Sequence, residues 1–226
     1  MEHKPEFTVI AGPNGAGKSR IGPFFVKVKS FDGDKLALNL RREHPDWPEH
    51  WIGGSVATAL EKQTNSALER EEDFAFETNF STEMVINMIQ RFKDAGYEIT
   101  LCYFGLYSEE ESVSRVMLRS KTGGHDVSDE VIRFNFNEGS KKAKECLRLF
   151  DNITFVDGTS DFGKIVALYS KKNGKHEVTD NPPRWFKEQF EKEFAEVRKI
   201  NSHLFYYFAV EKAYQSVYQP NKTQRK

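Results

Sequence analysis

A glycine-rich stretch near the start of the chain has the residue types of a phosphate-binding loop. Residues 11–19 read A-G-P-N-G-A-G-K-S, so four residues separate Gly12 from Gly17-Lys18-Ser19, which is the P-loop spacing. Glycines let the backbone curl until its N–H groups point at phosphate oxygens, while Lys18 adds positive charge and Ser19 a hydroxyl for Mg²⁺. The β-favouring run F-T-V-I before the loop disfavours the alternative, a glycine-rich turn without a ligand. We therefore predict a site for Mg²⁺ and ATP or GTP. Its predicted nucleotide-binding residues are Gly12, Pro13, Asn14, Gly15, Ala16, Gly17, Lys18, Ser19 and Arg20.

Two aspartates follow the next predicted strand, which we place within residues 24–31. They are Asp32 and Asp34 of the sequence F-D-G-D. At the carboxyl edge of a parallel sheet, where ligands bind, they could hold Mg²⁺ or accept a proton from an attacking hydroxyl. The alternative is an Asp-Gly-Asp turn that caps a helix over residues 35–42. The neighbouring P-loop favours the functional interpretation.

Further polar candidates lie at the end of a third strand and around a pair of helices. Glu77 and Thr78 end the strand at 73–78, and Glu77 is a candidate functional acid; the alternative is a structural acid bonded to Ser19 or to a backbone turn. Arg115 and Arg119 are four residues apart on one helix face, where surface exposure is the common alternative. His125 in T-G-G-H-D-V could contact phosphate, although a helix-capping turn with Asp126 or Ser128 is the alternative. Gly123-Gly124 would give the arginine-bearing helices near 115–140 a hinge, as a lid requires.

The composition sets limits on location and partners. The chain has 226 residues, with 33 Lys+Arg against 34 Asp+Glu. This balance gives no general attraction to nucleic acid or acidic membranes. The two cysteines indicate buried thiols rather than a disulfide framework. No apolar run approaches about 18 residues and the charged N-terminus has no signal-peptide pattern, so we expect a cytoplasmic protein without membrane or nucleic-acid partners.

The order of predicted elements indicates the fold. Alternating strands and helices predict an α/β fold: a P-loop NTPase three-layer sandwich, nucleotide-kinase-like, with a five- or six-stranded mainly parallel sheet. A hairpin around Asn173-Gly174 could extend the sheet. We place the kinase-like domain at 1–178, and at 179–226 a C-terminal helical extension with a basic tail. One amphipathic helix from Pro182 through Ile200 and a second through residues 204–214 form this extension.

In combination, these motifs resemble one family. The ordered set A-G-P-N-G-A-G-K-S, F-D-G-D, F-A-F-E-T and R-V-M-L-R-S-K-T-G-G-H-D-V is similar to the zeta-toxin-like P-loop kinases, and more closely to the subgroup described as predicted ABC-type ATPases. The resemblance implies phosphoryl transfer from ATP or GTP to a small-molecule hydroxyl, UDP-N-acetylglucosamine or a related nucleotide sugar in characterised toxins. It also implies an antitoxin protein as a partner.

The resemblance also assigns roles to residues of this chain. Lys18 and Ser19 match the P-loop lysine and the Mg²⁺-binding hydroxyl, and Asp34 matches the base that takes the acceptor's proton. Arg115 or Arg119 corresponds to the arginine that meets the transferring phosphate. The residues expected to bind substrate are Asp32, Glu77, Thr78, His125 and Arg133. Ser128 stands where the family usually has proline, and Arg133-Phe134 replaces a double arginine.

Two other functions compete with a small-molecule kinase. In a nucleotide-dependent switch, ATP would order the lid and the aromatic C-terminal helices would bind a protein; an ABC-transporter signature is absent from the sequence. A polynucleotide kinase is disfavoured by the near-neutral charge and by the lack of a basic groove interleaved with aromatic residues.

Overall fold

The strands of the described residues form one sheet of seven. The computed structural model describes residues 4–120, 127–160 and 162–197. The strands are β1 Glu6–Ala11, β2 Phe31–Asp32, β3 Phe74–Thr78, β4 Glu98–Gly105, β5 Asn152–Asp157, β6 Lys164–Ser170 and β7 Lys175–Val178. Their order is β2-β3-β1-β4-β5-β6-β7, with the first five parallel and the last two antiparallel. The α/β, P-loop kinase-like fold is confirmed, with one strand more than the upper prediction.

The helices connect the parallel strands and cover the sheet. They are α1 Lys18–Ile21, α2 Gly33–Glu43, α3 Glu49–Arg70, α4 Glu83–Asp94, α5 Glu109–Ser120, α6 Asp129–Glu145, α7 Arg184–Gln189 and α8 Glu191–Val197, with 3₁₀ turns at Gly22–Phe25 and Leu147–Leu149. In the described part of the chain, no helix is both long and apolar enough to span a bilayer.

Alternate residues of the central strands enter two hydrophobic clusters, one on each face of the sheet. Ile99, Leu101 and Tyr103 of β4 belong to the larger cluster, whereas Cys102 and Phe104 belong to the smaller. Because a strand turns successive side chains to opposite faces, this division shows a sheet buried on both sides. The central strands are therefore rigid supports for whatever follows their carboxyl ends.

The segment between the P-loop and β2 differs from the prediction. Helix α1 ends after one turn at Ile21, and Pro23 lies in the first turn of the 3₁₀ helix that follows, where proline is tolerated. The strand expected within 24–31 is reduced to Phe31–Asp32. The Phe31 side chain of β2 is buried. The two residues of this strand pair with Phe76 and Glu77 of β3.

The described part of the C-terminal extension belongs to the core. The helix expected from Pro182 is divided at Phe190 into α7 and α8. Trp185, Phe186, Phe190 and Phe194 are at most 1% exposed and join the larger cluster. The Trp185 indole also donates a 3.2 Å hydrogen bond to Asp157. The second predicted helix, the basic tail and Ile200 lie outside the described residues.

Candidate active site

The P-loop lies between β1 and α1 and is shaped by its glycines. Gly12 and Gly17 have φ of 140° and 87°, which L side chains rarely adopt. A Cβ on Gly12 would also lie 2.2 Å from the backbone oxygen of Phe104 in β4. Only glycine therefore lets the chain leave β1 in this direction.

Lys18 is folded back onto its own loop. Its side chain is 7% exposed, and Nζ donates hydrogen bonds to the backbone oxygens of Gly12 at 2.7 Å and Pro13 at 2.9 Å, and to Asn79 Oδ1 at 2.9 Å. Burial lowers the pKa of Lys18, and nearby Glu77, Asp34 and Asp32 oppose this shift. The ammonium is thus buried at the base of the loop with acidic residues around it.

Two helices hold the loop in place through Asn14, which is almost fully buried. The Ser112 hydroxyl of α5 donates a 2.6 Å hydrogen bond to the Asn14 backbone oxygen. The Asn135 amide of α6 donates to Asn14 Oδ1 at 3.0 Å, and Ser81 donates to Asn135 at 2.7 Å. Sequence reasoning missed Ser112, Asn135 and Ser81, because isolated polar residues on helices and loops carry no motif.

Carboxylates collect at the end of the sheet beside the loop. Strand pairing places Asp32 opposite Glu77, and Glu77 opposite Ile10 immediately before the P-loop. The Ser19 hydroxyl donates to Glu77 at 2.7 Å. Burial raises the pKa of Glu77, with Lys18 acting in the opposite direction and Asp32 adding to the rise. The strand ends thus bring together the acids that the sequence had placed there.

The two aspartates of F-D-G-D occupy different positions. Asp32 is the N-cap of α2 and accepts a 2.9 Å hydrogen bond from the Lys35 backbone N–H, as the capping alternative predicted. Asp34 lies exposed in the first turn of α2, close enough to Lys18 and Glu77 to influence the pKa of both. Asp34 is therefore an exposed carboxylate within electrostatic range of the P-loop lysine.

Thr78 and Arg115, two of the predicted site residues, bond to the protein backbone. The Thr78 hydroxyl oxygen accepts the Phe80 N–H at 3.0 Å. The Arg115 guanidinium donates to the backbone oxygens of Gly158 and Thr159 at 2.7 Å each and pairs with Glu111 at 2.8 Å. A longer contact of 3.4 Å reaches the Gly15 backbone oxygen of the P-loop. In this arrangement Arg115 fastens the P-loop to the end of β5.

The remaining lid candidates differ in position. Arg119 is exposed on α5 and close enough to Lys18 to contribute to lowering its pKa. Arg133 pairs with Glu109 at 2.9 Å and Glu110 at 3.0 Å, joining α6 to α5, and the Glu110 hydrogen bond raises its pKa. His125 lies outside the described residues.

The residues around Ser19 suit a magnesium ion in their chemistry. Mg²⁺ prefers oxygen ligands, usually one or two protein groups together with substrate phosphates and water. The Ser19 hydroxyl, with Glu77 bonded to it and Asp32 opposite on β2, supplies such oxygens. These three residues are the ones that would hold the ion, which would neutralise charge on bound phosphates.

Trp47 and Trp51, considered as substrate-flanking residues or as packing, lie at the tip of the α2–α3 pair. Trp47 stacks on His44 with ring centroids 3.9 Å apart, and Trp51 meets Trp47 edge-on at 6.0 Å. They border an open groove of about 530 Å³ along α3. The side chain of Trp51 is 55% exposed, so packing accounts for only part of its surface.

The chain is similar to several known proteins in fold or in sequence. A structure from the PezAT chromosomal toxin–antitoxin system of Streptococcus pneumoniae matches with a TM-score of 0.58 at 18% identity, covering 87% of this chain and 84% of that one. An AvrRxo1-ORF1:-ORF2 structure with ATP matches with a TM-score of 0.63 at 15% identity, covering 89% and 67%. An uncharacterized protein of Haemophilus influenzae (strain ATCC 51907 / DSM 11121 / KW20 / Rd) is 23% identical over 138 residues, 60% of this chain and 94% of its own length. The family model for zeta toxin matches residues 1–174, and the chain therefore belongs to the zeta toxin family.

Proposed function

We propose that the protein is a phosphotransferase that moves the γ-phosphate of ATP or GTP to a hydroxyl of a small molecule. The observation that carries this proposal is the buried ammonium of Lys18 in a P-loop, with the exposed Asp34 near enough to influence the pKa of this lysine. Zeta toxin family membership supports the kinase class, and the ATP in the AvrRxo1 structure supports ATP as the donor.

The chain's own residues divide the work of such a transfer. P-loop N–H groups and Lys18 bind and orient the phosphates, and Arg119 adds positive charge from the lid as the transfer proceeds. Asp34 accepts the proton of the attacking hydroxyl and aims its oxygen at the γ-phosphorus. A bound Mg²⁺ would supply further charge neutralisation from the Ser19 side.

The acceptor follows from the family rather than from the geometry. A nucleotide sugar such as UDP-N-acetylglucosamine is the acceptor class that the zeta-toxin resemblance implies. The PezAT neighbour comes from a toxin–antitoxin system, which supports an antitoxin protein as a partner of this chain.

The deciding experiment is a transfer assay with γ-labelled ATP against UDP-sugars, free sugars and nucleosides. We expect labelled product that requires an acceptor, and its loss in Lys18→Ala with the fold retained. Release of ADP at the same rate with and without any acceptor would contradict a phosphotransferase.

A nucleotide-dependent switch is the second candidate, because α5 and α6 are hydrogen-bonded directly to the P-loop through Ser112, Arg115 and Asn135. Nucleotide binding could change the position of α5 and α6 through these contacts. Asp34→Asn separates the two functions, since a switch would keep its partner binding and a phosphotransferase would lose turnover.

A further inference from the structure

The turn that follows β3 has a backbone conformation that is costly for its residues. Phe80 has φ of 61°, in the left-handed region, and its side chain is fully buried. For a bulky residue this conformation is rare and persists only where the surroundings impose it, most often at functional sites. The Phe80 N–H bonded to Thr78 Oγ1 is one such constraint. Such a strained turn is expected to hold a neighbouring residue in a functional position.

The turn presents its first residue to the P-loop lysine. Asn79 Oδ1 accepts the 2.9 Å hydrogen bond from Lys18 Nζ across 61 residues of sequence. On the other side, a Cβ on Gly139 of α6 would lie 2.2 Å from the Asn79 backbone oxygen, so α6 packs directly against the turn. Ser81 bonds to Asn135 one helical turn away on α6. The backbone of Asn79 is therefore held against α6, while its side chain accepts a hydrogen bond from the lysine.

The hydrogen bonds of Lys18 leave it no donor for a phosphate. An ammonium has three N–H groups, and Gly12, Pro13 and Asn79 each accept one. A lysine that reaches the β- and γ-phosphates must exchange at least one of these acceptors. The Gly12 and Pro13 acceptors are backbone atoms of the loop itself, whereas the Asn79 amide can rotate about its side-chain bonds.

We propose that Asn79 is a positioning residue that holds the Lys18 ammonium through its side-chain oxygen and gives it up to the phosphates of an incoming nucleotide. The hydrogen bond to Asn79 competes with the phosphates for the ammonium and so opposes nucleotide binding. The acceptor strength of residue 79 then sets nucleotide affinity. This inference rests on nucleotide binding, one part of the proposed function, and is independent of any acceptor or transfer step.

Two substitutions at this position give opposite expectations. Asn79→Asp places a carboxylate against the ammonium, so the Kd for Mg²⁺–ATP should rise about tenfold or more. Asn79→Leu keeps the size of the side chain and removes the acceptor that competes with the phosphates, so the Kd should fall about two- to tenfold. Isothermal titration calorimetry with the full chain measures both, and circular dichroism checks the fold.

The outcomes separate this role from simpler ones. Asn173→Asp, in the exposed β6–β7 turn, is the matched control for the added charge and should leave the Kd unchanged. Weaker binding by both Asn79 variants would indicate a structural role and overturn the proposal. If Asn79→Asp binds Mg²⁺–ATP more weakly while the Kd of Asn79→Leu stays at the wild-type value, the new carboxylate only repels the phosphates. That result would also overturn the proposal.

Two further results remain decisive. If either variant does not fold, Asn79→Ser, whose hydroxyl is too short to reach Nζ, must bind Mg²⁺–ATP more tightly than the wild type; weaker or equal binding overturns the proposal. A wild-type chain that binds no nucleotide contradicts the proposed function as well, whereas wild-type binding with the wrong variant order contradicts only the role of Asn79.

Discussion

The Ser19 hydroxyl donates a 2.7 Å hydrogen bond to Glu77, and this bond joins the start of α1 to the end of β3. The P-loop pattern assigns Ser19 to Mg²⁺. For Glu77, the sequence allowed either contact with substrate or a structural bond to Ser19, and the structure contains the bond to Ser19. Glu77 therefore orients the hydroxyl and remains close to any ion that the hydroxyl would bind.

Replacing Glu77 by glutamine should change the pH dependence of stability. The pKa of Glu77 lies above its ordinary value of 4.5 because of burial, with Lys18 opposing. The folded state therefore holds this proton more tightly than the unfolded chain, and stability falls as pH rises from 4.5 through the raised pKa. Over that range, calorimetry should show the melting temperature of Glu77→Gln shifting upward relative to the wild type.

The control for this change is Glu69→Gln, which removes one negative charge from the exposed surface of α3. A melting-temperature difference between Glu77→Gln and the wild type that stays constant from below pH 4.5 to neutrality would contradict the raised pKa.

Asp34→Asn should stop transfer while preserving nucleotide binding. Asp34 is exposed in the first turn of α2 and is outside the hydrophobic clusters, so the fold does not depend on it. Loss of a general base lowers turnover by about 10²- to 10⁴-fold. Labelled-phosphate transfer and calorimetric ATP binding measure the two effects, with Asp46→Asn on the exposed loop after α2 as the control. Unchanged transfer would remove Asp34 from the mechanism.

Substitution of Arg115 should mainly lower stability, whereas substitution of Arg119 should mainly lower the rate of transfer. Arg115→Lys cannot keep both 2.7 Å bonds to Gly158 and Thr159, so we expect a loss of about 1–3 kcal/mol in unfolding free energy. Arg119→Lys, on the exposed face of α5, should change stability less and lower transfer on the order of 10³-fold. Urea unfolding and steady-state kinetics separate them; the reverse pattern would exchange the two roles.

Strong periodic or motif signals made most of the fold predictable. The P-loop was located because its glycine, lysine and serine spacing is a local motif, and Ser128, one of the two residues expected to cap a helix there, is the N-cap residue of α6. The strand expected within 24–31 has only two residues, Phe31 and Asp32. The polar β7 lacked alternation and was found only as an extension of the hairpin.

Sequence reasoning brought residues together where they follow parallel strands, and it missed contacts between residues that are distant in sequence. It placed Asp32 and Glu77 at one edge of the sheet, and strand pairing puts these two residues opposite each other. Asn79, Asn135 and Ser112 could not be found, since their bonds to the P-loop span 61, 121 and 98 residues. The backbone bonds of Arg115 were hidden for the same reason.

Trp185→Ala should show that the described C-terminal helices stabilise the kinase-like core. Trp185 is 1% exposed, packs near Tyr103 and Phe155, and lies where a Cβ on Gly105 would be 2.4 Å from its ring. Truncation of such a residue costs about 3–5 kcal/mol. Trp51→Ala is the matched control and should cost less than about 1 kcal/mol because this side chain is largely exposed. Equal losses in urea unfolding would indicate that α7 packs weakly.

Arg133 forms ion pairs with Glu109 and Glu110. Variants of these residues test whether Arg133 contacts the acceptor or joins α6 to α5. Both acids lie at the start of α5, so Arg133 joins α6 to α5. We expect Arg133→Gln and Glu110→Gln to raise the acceptor KM in the same direction, and the double variant to show less than the product of the two changes. Steady-state kinetics with saturating ATP measures each KM. An undiminished effect of Arg133→Gln in the Glu110→Gln background would instead place the guanidinium on the acceptor, as the family resemblance implies.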